Sequence, residues 1–248
     1  MEERATAGPS PLTRFGPGVA DALEHGMMHA KDDDGAARGP ADSACARLGA
    51  VLDLLSLGII LIDERMKVVF VNRCAATILA ARDGLMESGE RLSTASIRET
   101  STLNEYLSNA AADHEGAEPA GAMTVSRSAS RRPLSLLVTS ARSRTMPAEA
   151  RMPVPTGAVV FIADADRPIG IHPEVLARLY DLTPAEAILA EGLANGRDLN
   201  SLSGELGVSR NTLRSQLQSV FSKTHTNRQA ELVKMILTGP AVVGGNGL

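Results

Sequence analysis

Apolar residues in the C-terminal quarter of the chain recur every three or four positions, which is typical of amphipathic helices. Between Leu182 and Leu237 this pattern predicts four short helices. The first begins at Thr183 as its cap, with Pro184 at the first helical position and Glu186 three residues after the cap. The other three have predicted caps at Asp198, Ser209 and Thr226. Thr226 also has a glutamine, Gln229, three residues later, which predicts a second capping box.

A tight turn is predicted between the second and third of these helices. Gly207 tolerates a positive φ there, and Val208 can point into the core. Two helices joined by a short glycine turn and flanked by two more favour a helix-turn-helix module.

Upstream, β-branched residues cluster in short runs that favour strands. The five runs are Ile59–Ile62, Val68–Val71, Ala122–Ser126, Leu134–Ser140 and Ala158–Ala163. Helices are predicted over Ala44–Leu57, from an Asn72 cap through Ala81, and over Thr100–Ala112. Two strands, a helical insert and three strands predict an α+β domain with an antiparallel sheet of five strands.

Composition shifts along the chain predict its domain boundaries. Residues 1–42 are rich in Gly, Pro, Ala and charge, so we expect a disordered tail. The α+β domain then spans residues 43–166. Residues 167–180 are predicted to be a linker, because Pro168 and Pro173 discourage a continuous helix. The helical module occupies residues 181–238, and residues 239–248 form a flexible tail.

Positive charge is concentrated on one predicted helix, although the 248-residue chain carries a formal net charge of −4. From Leu206 to Ala230 there is no acidic residue. The same stretch contains four basic residues: Arg210, Arg214, Lys223 and Arg228. A local basic element of this kind is suited to face phosphates.

Several classes of site are not supported by the sequence. No nucleotide-binding or hydrolase motif is visible, so we expect no enzyme. His25 and His29 have the spacing of a metal pair, but Gly26 stands where a zincin has glutamate, and no metal site is predicted. Two cysteines, no signal-like N-terminus and no long apolar run favour a cytoplasmic protein without a membrane segment.

The segment LTPAEA…LANG…LGVSRNTLRSQLQSVFSKT…RQAELV resembles the LuxR-type helix-turn-helix of bacterial transcriptional regulators. The family usually has Ala where Ser203 stands, and many members have His at Gln216. The resemblance implies double-stranded promoter DNA as the partner and a homodimer, often formed through the fourth helix. RNA polymerase is a further candidate partner.

The candidate DNA-binding residues all lie on the third predicted helix. With Ser209 as its cap, Arg210, Asn211 and Thr212 occupy the first turn, near the phosphates. The resemblance implies that Arg214, Ser215 and Gln218 enter the major groove, whereas Lys223 is expected to contact phosphate.

The hairpin GIILIDERMKVVFVNRCAATIL is similar to a PAS sensor domain, whose second strand ends at an asparagine that opens a helix, as Asn72 does. No cofactor is predicted for this domain, and its ligand stays open. The flavin-attaching run of light-sensing members is absent around Cys74, and His114 and His172 are expected to face solvent rather than bind haem.

The leading hypothesis is a sequence-specific DNA-binding transcriptional regulator whose PAS-like domain senses a signal or mediates dimerisation. Two alternatives stay open: a sigma-factor-like promoter-binding protein, and a PAS adaptor that acts through protein contacts only. Arginines between Arg127 and Arg151 form either a solvated face or an anion or partner surface. The acidic pair Asp63-Glu64 is interpreted as a hairpin turn rather than a receiver site.

Overall fold

The computed structural model describes residues 47–112, 121–128, 130–141 and 157–243. The predicted tail over residues 1–42 and residues 142–156 lie outside these ranges. The chain forms two compact units, the first built mainly from residues 58–163 and the second mainly from residues 164–243.

The first unit contains the predicted sheet. In chain order its elements are β1 (Gly58–Ile62), β2 (Val68–Val71), α1 (Arg73–Ala81), β3 (Leu85–Ser88), β4 (Arg91–Thr94), α2 (Ile97–Ala111), β5 (Gly121–Val125), β6 (Leu134–Ser140) and β7 (Ala158–Ala163). Five strands pair antiparallel in the order β2-β1-β7-β6-β5. The prediction of a five-stranded antiparallel sheet is therefore confirmed.

Alternating side chains of the strands form the core of the first unit. Ile60 and Ile62 of β1 are fully buried and cluster with side chains of α1 and α2, including Ile78, Leu103 and Leu107. Since strand residues two apart share a face, this pattern covers one side of the sheet with the two helices.

Asn72 caps α1, as predicted, and it also connects β1 to the end of β2. Its side chain is fully buried, and its carbonyl Oδ1 accepts from the backbone amides of Ile59 at 2.8 Å and Ala75 at 3.0 Å. One side chain therefore caps α1 and fixes the start of β1 beside the end of β2.

The two-stranded β3–β4 hairpin was not predicted from the sequence. Its strands are joined by Gly89 and Glu90, both with positive φ, the backbone of a type I′ turn. The strand sequences LMES and RLST contain few β-branched residues, so they gave no strand signal.

The helix predicted over Ala44–Leu57 is only partly present. Within the described residues the helix runs from 47 to 52 and is followed by tighter turns, in which the Leu54 amide bonds the Val51 carbonyl at 3.2 Å. Its predicted apolar face is not buried, because Val51 is 57% exposed and Leu48 43%.

The second unit is helical and larger than predicted. It contains α3 (Pro173–Tyr180), α4 (Pro184–Ala194), α5 (Leu199–Leu206), α6 (Arg210–Thr224), α7 (Gln229–Thr238) and a 3₁₀ turn over Pro240–Val242. Its core is formed by apolar side chains of all five helices, among them Leu176, Leu189, Leu202, Leu213 and Leu232.

Two boundary predictions are corrected by the second unit. Residues 167–180 are not a plain linker, because Pro173 occupies the first turn of α3, where a missing amide is tolerated, and Leu176 is fully buried. The chain after residue 238 is not wholly a flexible tail either. Ala241 is 1% exposed, and its carbonyl accepts from the His172 amide.

Three of the four helix caps predicted for the second unit are present. Thr183 and Glu186 form a full capping box, and Asp198 and Ser209 cap α5 and α6. The Thr226 prediction is wrong, since α7 begins at Gln229 with Arg228 at its N-cap and no side-chain cap bond. The Thr226 amide instead bonds the Phe221 carbonyl, closing the end of α6 after the left-handed His225.

Candidate nucleic-acid interface

A short turn sets the direction of α6 relative to α5. Gly207 ends α5 with φ 66°, and Ser209 caps α6 by accepting the Thr212 amide at 3.1 Å. Between them, the carbonyl of Val208 accepts a 2.6 Å hydrogen bond from the Ser203 hydroxyl. Ser203, where the LuxR-type pattern usually has alanine, thus ties the middle of α5 to the turn.

One face of α6 is buried and the opposite face is exposed. Leu213, Leu217 and Val220 face the core of the second unit. The predicted DNA-contact residues of the helix lie on the exposed side: Arg210, Asn211, Thr212, Arg214, Ser215 and Gln218. These six side chains are therefore all exposed on α6, and the surface they form is named here the α6 outer face.

Local hydrogen bonds already orient part of the α6 outer face. The Arg214 guanidinium lies 3.4 Å from Asn211 Oδ1, and the Ser215 hydroxyl donates to the Asn211 carbonyl at 3.1 Å. The hydroxyls of Ser209 and Thr212 are 2.8 Å apart. Asn211 is therefore the central polar residue of the first two turns.

Asp198 places a carboxylate close to the start of α6. Hydrogen bonds from the amide and hydroxyl of Ser201 hold the pKa of Asp198 below its ordinary value, and the charge of Arg210 contributes in the same direction. The carboxylate is therefore ionised at neutral pH and partly offsets the charge that Arg210 presents.

Lys223 is placed differently from the other predicted contacts. Its ammonium lies 2.8 Å from Oε2 of Glu186, whose side chain is only 8% exposed. The same oxygen accepts the Thr183 amide at 2.7 Å. Lys223 is thus already paired within the fold, which the sequence prediction of a phosphate contact did not foresee.

The surroundings of Glu186 stabilise its charged form. Burial raises the pKa of Glu186, but hydrogen bonds from Lys223 and Thr183 outweigh burial and lower it to about 2. The sequence predicted Glu186 only as a capping-box residue, because its partner Lys223 is 37 residues away.

A shallow depression of about 470 Å³ adjoins the C-terminal half of α6. It is lined by Gln218, Phe221, Ser222, His225, Thr226 and Asn227. Its lining is largely polar, and it borders the predicted base reader Gln218. The geometry suits a hydrated polar surface rather than an enclosed apolar ligand site.

The arginines of the first unit are partly used inside the fold. Arg127 Nε lies 3.2 Å from Asp83 Oδ2 with its side chain only 2% exposed, and Arg131 approaches the same oxygen at 3.5 Å. Arg142, Arg144 and Arg151 lie outside the described residues. Arg127 is therefore unavailable to an anion surface.

The candidate cofactor residues show no assembled site. Cys74 is 1% exposed and lies in the first core, whereas His114 is outside the described ranges. His172 was expected to face solvent, but it is partly buried at the N-cap of α3 because the turn at Ala241 packs beside it. Across the described ranges no three metal-binding side chains come together, and no helix there is long and apolar enough to cross a membrane.

Comparisons with known proteins identify no family for the chain. No protein-family model matches it, and no curated protein matches it significantly. Among solved structures, it is similar to a phage VqmA–DPO complex, with 16% identity over 79% of this chain and 88% of that one, and a TM-score of 0.33. A Vibrio cholera VqmA–ligand–DNA complex gives 12% identity over 81% and 88%, also with a TM-score of 0.33. Values this low carry no argument about function, which rests on the residues of this chain.

Proposed function

We propose that this protein is a sequence-specific DNA-binding transcriptional regulator, with a LuxR-type helix-turn-helix module as its second unit and a PAS-like domain as its first. The α6 outer face carries the proposal. Its six polar side chains are exposed, whereas Leu213, Leu217 and Val220 are buried, and the stretch from Leu206 to Ala230 has no acidic residue.

The dimensions of α6 support its role as the recognition helix. Its 15 residues span about 22 Å, and a helix of this kind fits the major groove of B-DNA. Arg210, Asn211 and Thr212 lie in the first turn, where the exposed amides and the helix dipole favour a phosphate.

Base reading is assigned to the next turns of the same face. The planar guanidinium of Arg214 suits O6 and N7 of guanine, and the amide of Gln218 suits N6 and N7 of adenine. Since Arg214 and Gln218 are four residues apart, they project from neighbouring turns of the α6 outer face. Ser215 contributes a shorter polar contact between them.

A homodimer on a twofold-related site completes the proposal. Leu237 on α7 is 37% exposed and Val233 is partly exposed, so this helix retains apolar surface for a second copy. Half-sites would then lie about one helical turn of DNA apart. Sedimentation in the presence of DNA tests this, and a strictly monomeric protein on its site would contradict it.

A gel shift tests the proposed function. The full chain is mixed with genomic fragments at two salt concentrations, and a subset of fragments is expected to be retained at the higher one, because base contacts survive where phosphate attraction weakens. Equal loss of all fragments would contradict sequence-specific binding. No binding at either salt concentration would favour an adaptor that acts through protein contacts.

A further inference from the structure

The Glu186–Lys223 ion pair connects α4 to α6 and is placed to fix the rotation of α6 about its axis. Glu186 is the third residue of α4, and its carboxylate closes the capping box with Thr183. It also accepts from the ammonium of Lys223 of α6 at 2.8 Å. One buried carboxylate therefore fixes the start of α4 and holds a side chain of α6.

Directional bonds are needed to fix the rotation of α6 about its axis. The apolar contacts of Leu213, Leu217 and Val220 stabilise the helix against the core, but such contacts are non-directional. A rotation of about 20° displaces a side-chain tip at a radius of about 5–6 Å by about 2 Å. That displacement would break a hydrogen bond to a base edge, whose distance range is only a few tenths of an ångström.

Lys223 is suited to prevent this rotation. Its ammonium lies 2.8 Å from the Glu186 carboxylate, so a directional bond ties α6 to α4. Lys223 lies five residues after Gln218, the predicted adenine reader, about 140° around the helix. Any rotation that moved Gln218 would also pull Lys223 away from Glu186.

The position of Lys223 along α6 also disfavours a phosphate contact. It lies 13 residues after Arg210, a rise of about 20 Å, whereas recognition helices contact base edges with their N-terminal residues. To reach a phosphate, Lys223 would have to leave a carboxylate that is 8% exposed, and an unpaired charge at such a site is costly.

We infer that Lys223 is a positioning residue, which Glu186 holds so that α6 keeps the rotation at which Arg214 and Gln218 read bases, and that it makes no phosphate contact. This inference rests on the proposed function for its effect on DNA. The pair itself is a property of the protein alone, so it can be tested with and without DNA.

The DNA test compares Lys223→Met and Glu186→Gln with the wild-type chain. The probes are a duplex that the wild-type chain selects from a randomised pool and a scrambled duplex of the same composition. Both variants are expected to reduce the selected-to-scrambled affinity ratio about tenfold and to leave the slope of log affinity against log salt unchanged. Lys234→Met, which removes an equal charge from α7, is the control and should leave the ratio unchanged.

The opposite pattern would overturn the inference. If Lys223 contacts phosphate, Lys223→Met lowers the salt slope by about one unit and weakens both duplexes alike. Glu186→Gln would then release the lysine and strengthen binding to both duplexes. Partial unfolding of a variant also leaves the selected-to-scrambled affinity ratio unchanged, because it lowers the apparent affinity for each duplex by the same factor.

Hydrogen exchange of the full chain without DNA gives a second, independent test. Both variants are expected to accelerate amide exchange several-fold over residues 217–224, relative to Lys234→Met. Unchanged exchange there in both variants would overturn the inference. If the wild-type chain selects no DNA sequence but exchange is still faster in both variants, the proposed function is wrong. The role of the Glu186–Lys223 pair in holding α6 is then still supported.

Discussion

The hydroxyl of Ser203 donates to the carbonyl oxygen of Val208 across 2.6 Å, linking α5 to the turn that precedes α6. Replacing Ser203 with alanine removes this hydrogen bond, which contributes about 1 kcal/mol to the free energy of unfolding. Alanine also has the higher helix propensity, which adds back about 0.5 kcal/mol. We predict a net loss of about 0.5 kcal/mol in the free energy of unfolding. Urea unfolding followed by circular dichroism checks this, and a variant more stable than wild type would show that the bond contributes nothing.

Gly192 of α4 allows Leu202 of α5 to approach closely. A β-carbon built at Gly192 would lie 2.6 Å from Leu202 Cδ2, and Leu202 is fully buried. Gly192→Ala is therefore predicted to destabilise the protein by about 1–3 kcal/mol through overpacking. Gly204→Ala is the matched control, since a β-carbon there meets nothing within 4 Å. It should stabilise α5 by about 0.5–1 kcal/mol, and equal effects of the two substitutions would contradict the packing argument.

Asn72 is predicted to be the most sensitive asparagine of the first unit. Alanine at this position leaves the amides of Ile59 and Ala75 without their side-chain acceptor, and unsatisfied buried groups cost about 1–3 kcal/mol each. We expect Asn72→Ala to lower the free energy of unfolding by about 2–4 kcal/mol. Asn104→Ala on the exposed side of α2 should stay within about 0.5 kcal/mol of wild type. Comparable losses in the two variants, measured by chemical denaturation, would exclude the proposed role.

Acid should weaken the second unit through Glu186. Its pKa falls from an ordinary value of 4.5 to about 2 in the folded chain. Because the pKa of Glu186 is lower in the folded chain, its charged form stabilises the fold fully above pH 4.5. This stabilisation is lost as the pH falls toward about 2, since the unfolded state binds the proton first. Unfolding measured between pH 7 and pH 3 should show this decline, with a shallower decline in Glu186→Gln. Identical pH profiles for the two proteins would contradict the assignment.

The strands and the buried face of α6 could be predicted because their signals are local. Val68–Val71 and Leu134–Ser140 have the predicted bounds, since β-branched runs and flanking polar residues mark them. The spacing of Leu213, Leu217 and Val220 likewise fixed which side of α6 is exposed. Local patterns of this kind define elements and their faces without knowledge of the tertiary structure.

Features that depend on distant residues were missed. Glu186 and Lys223 are 37 residues apart, so the pair follows only from the packing of α4 against α6. Pro173 was interpreted as a helix breaker, but tertiary burial of Leu176 makes it the first residue of α3. Thr226 had the right sequence context for a cap, but its amide closes α6 and its hydroxyl lies 2.9 Å from the Thr224 hydroxyl, so α7 begins only at Gln229.

Arg214 on the α6 outer face is proposed to read a base. The most direct test compares the affinity of wild-type and Arg214→Ala chains for a duplex selected by the wild-type chain and for its scrambled counterpart. We predict that Arg214→Ala costs about 1–3 kcal/mol on the selected duplex and relaxes preference at one base position, whereas Arg210→Ala weakens both duplexes alike. A selected-to-scrambled affinity ratio unchanged by Arg214→Ala would contradict the account.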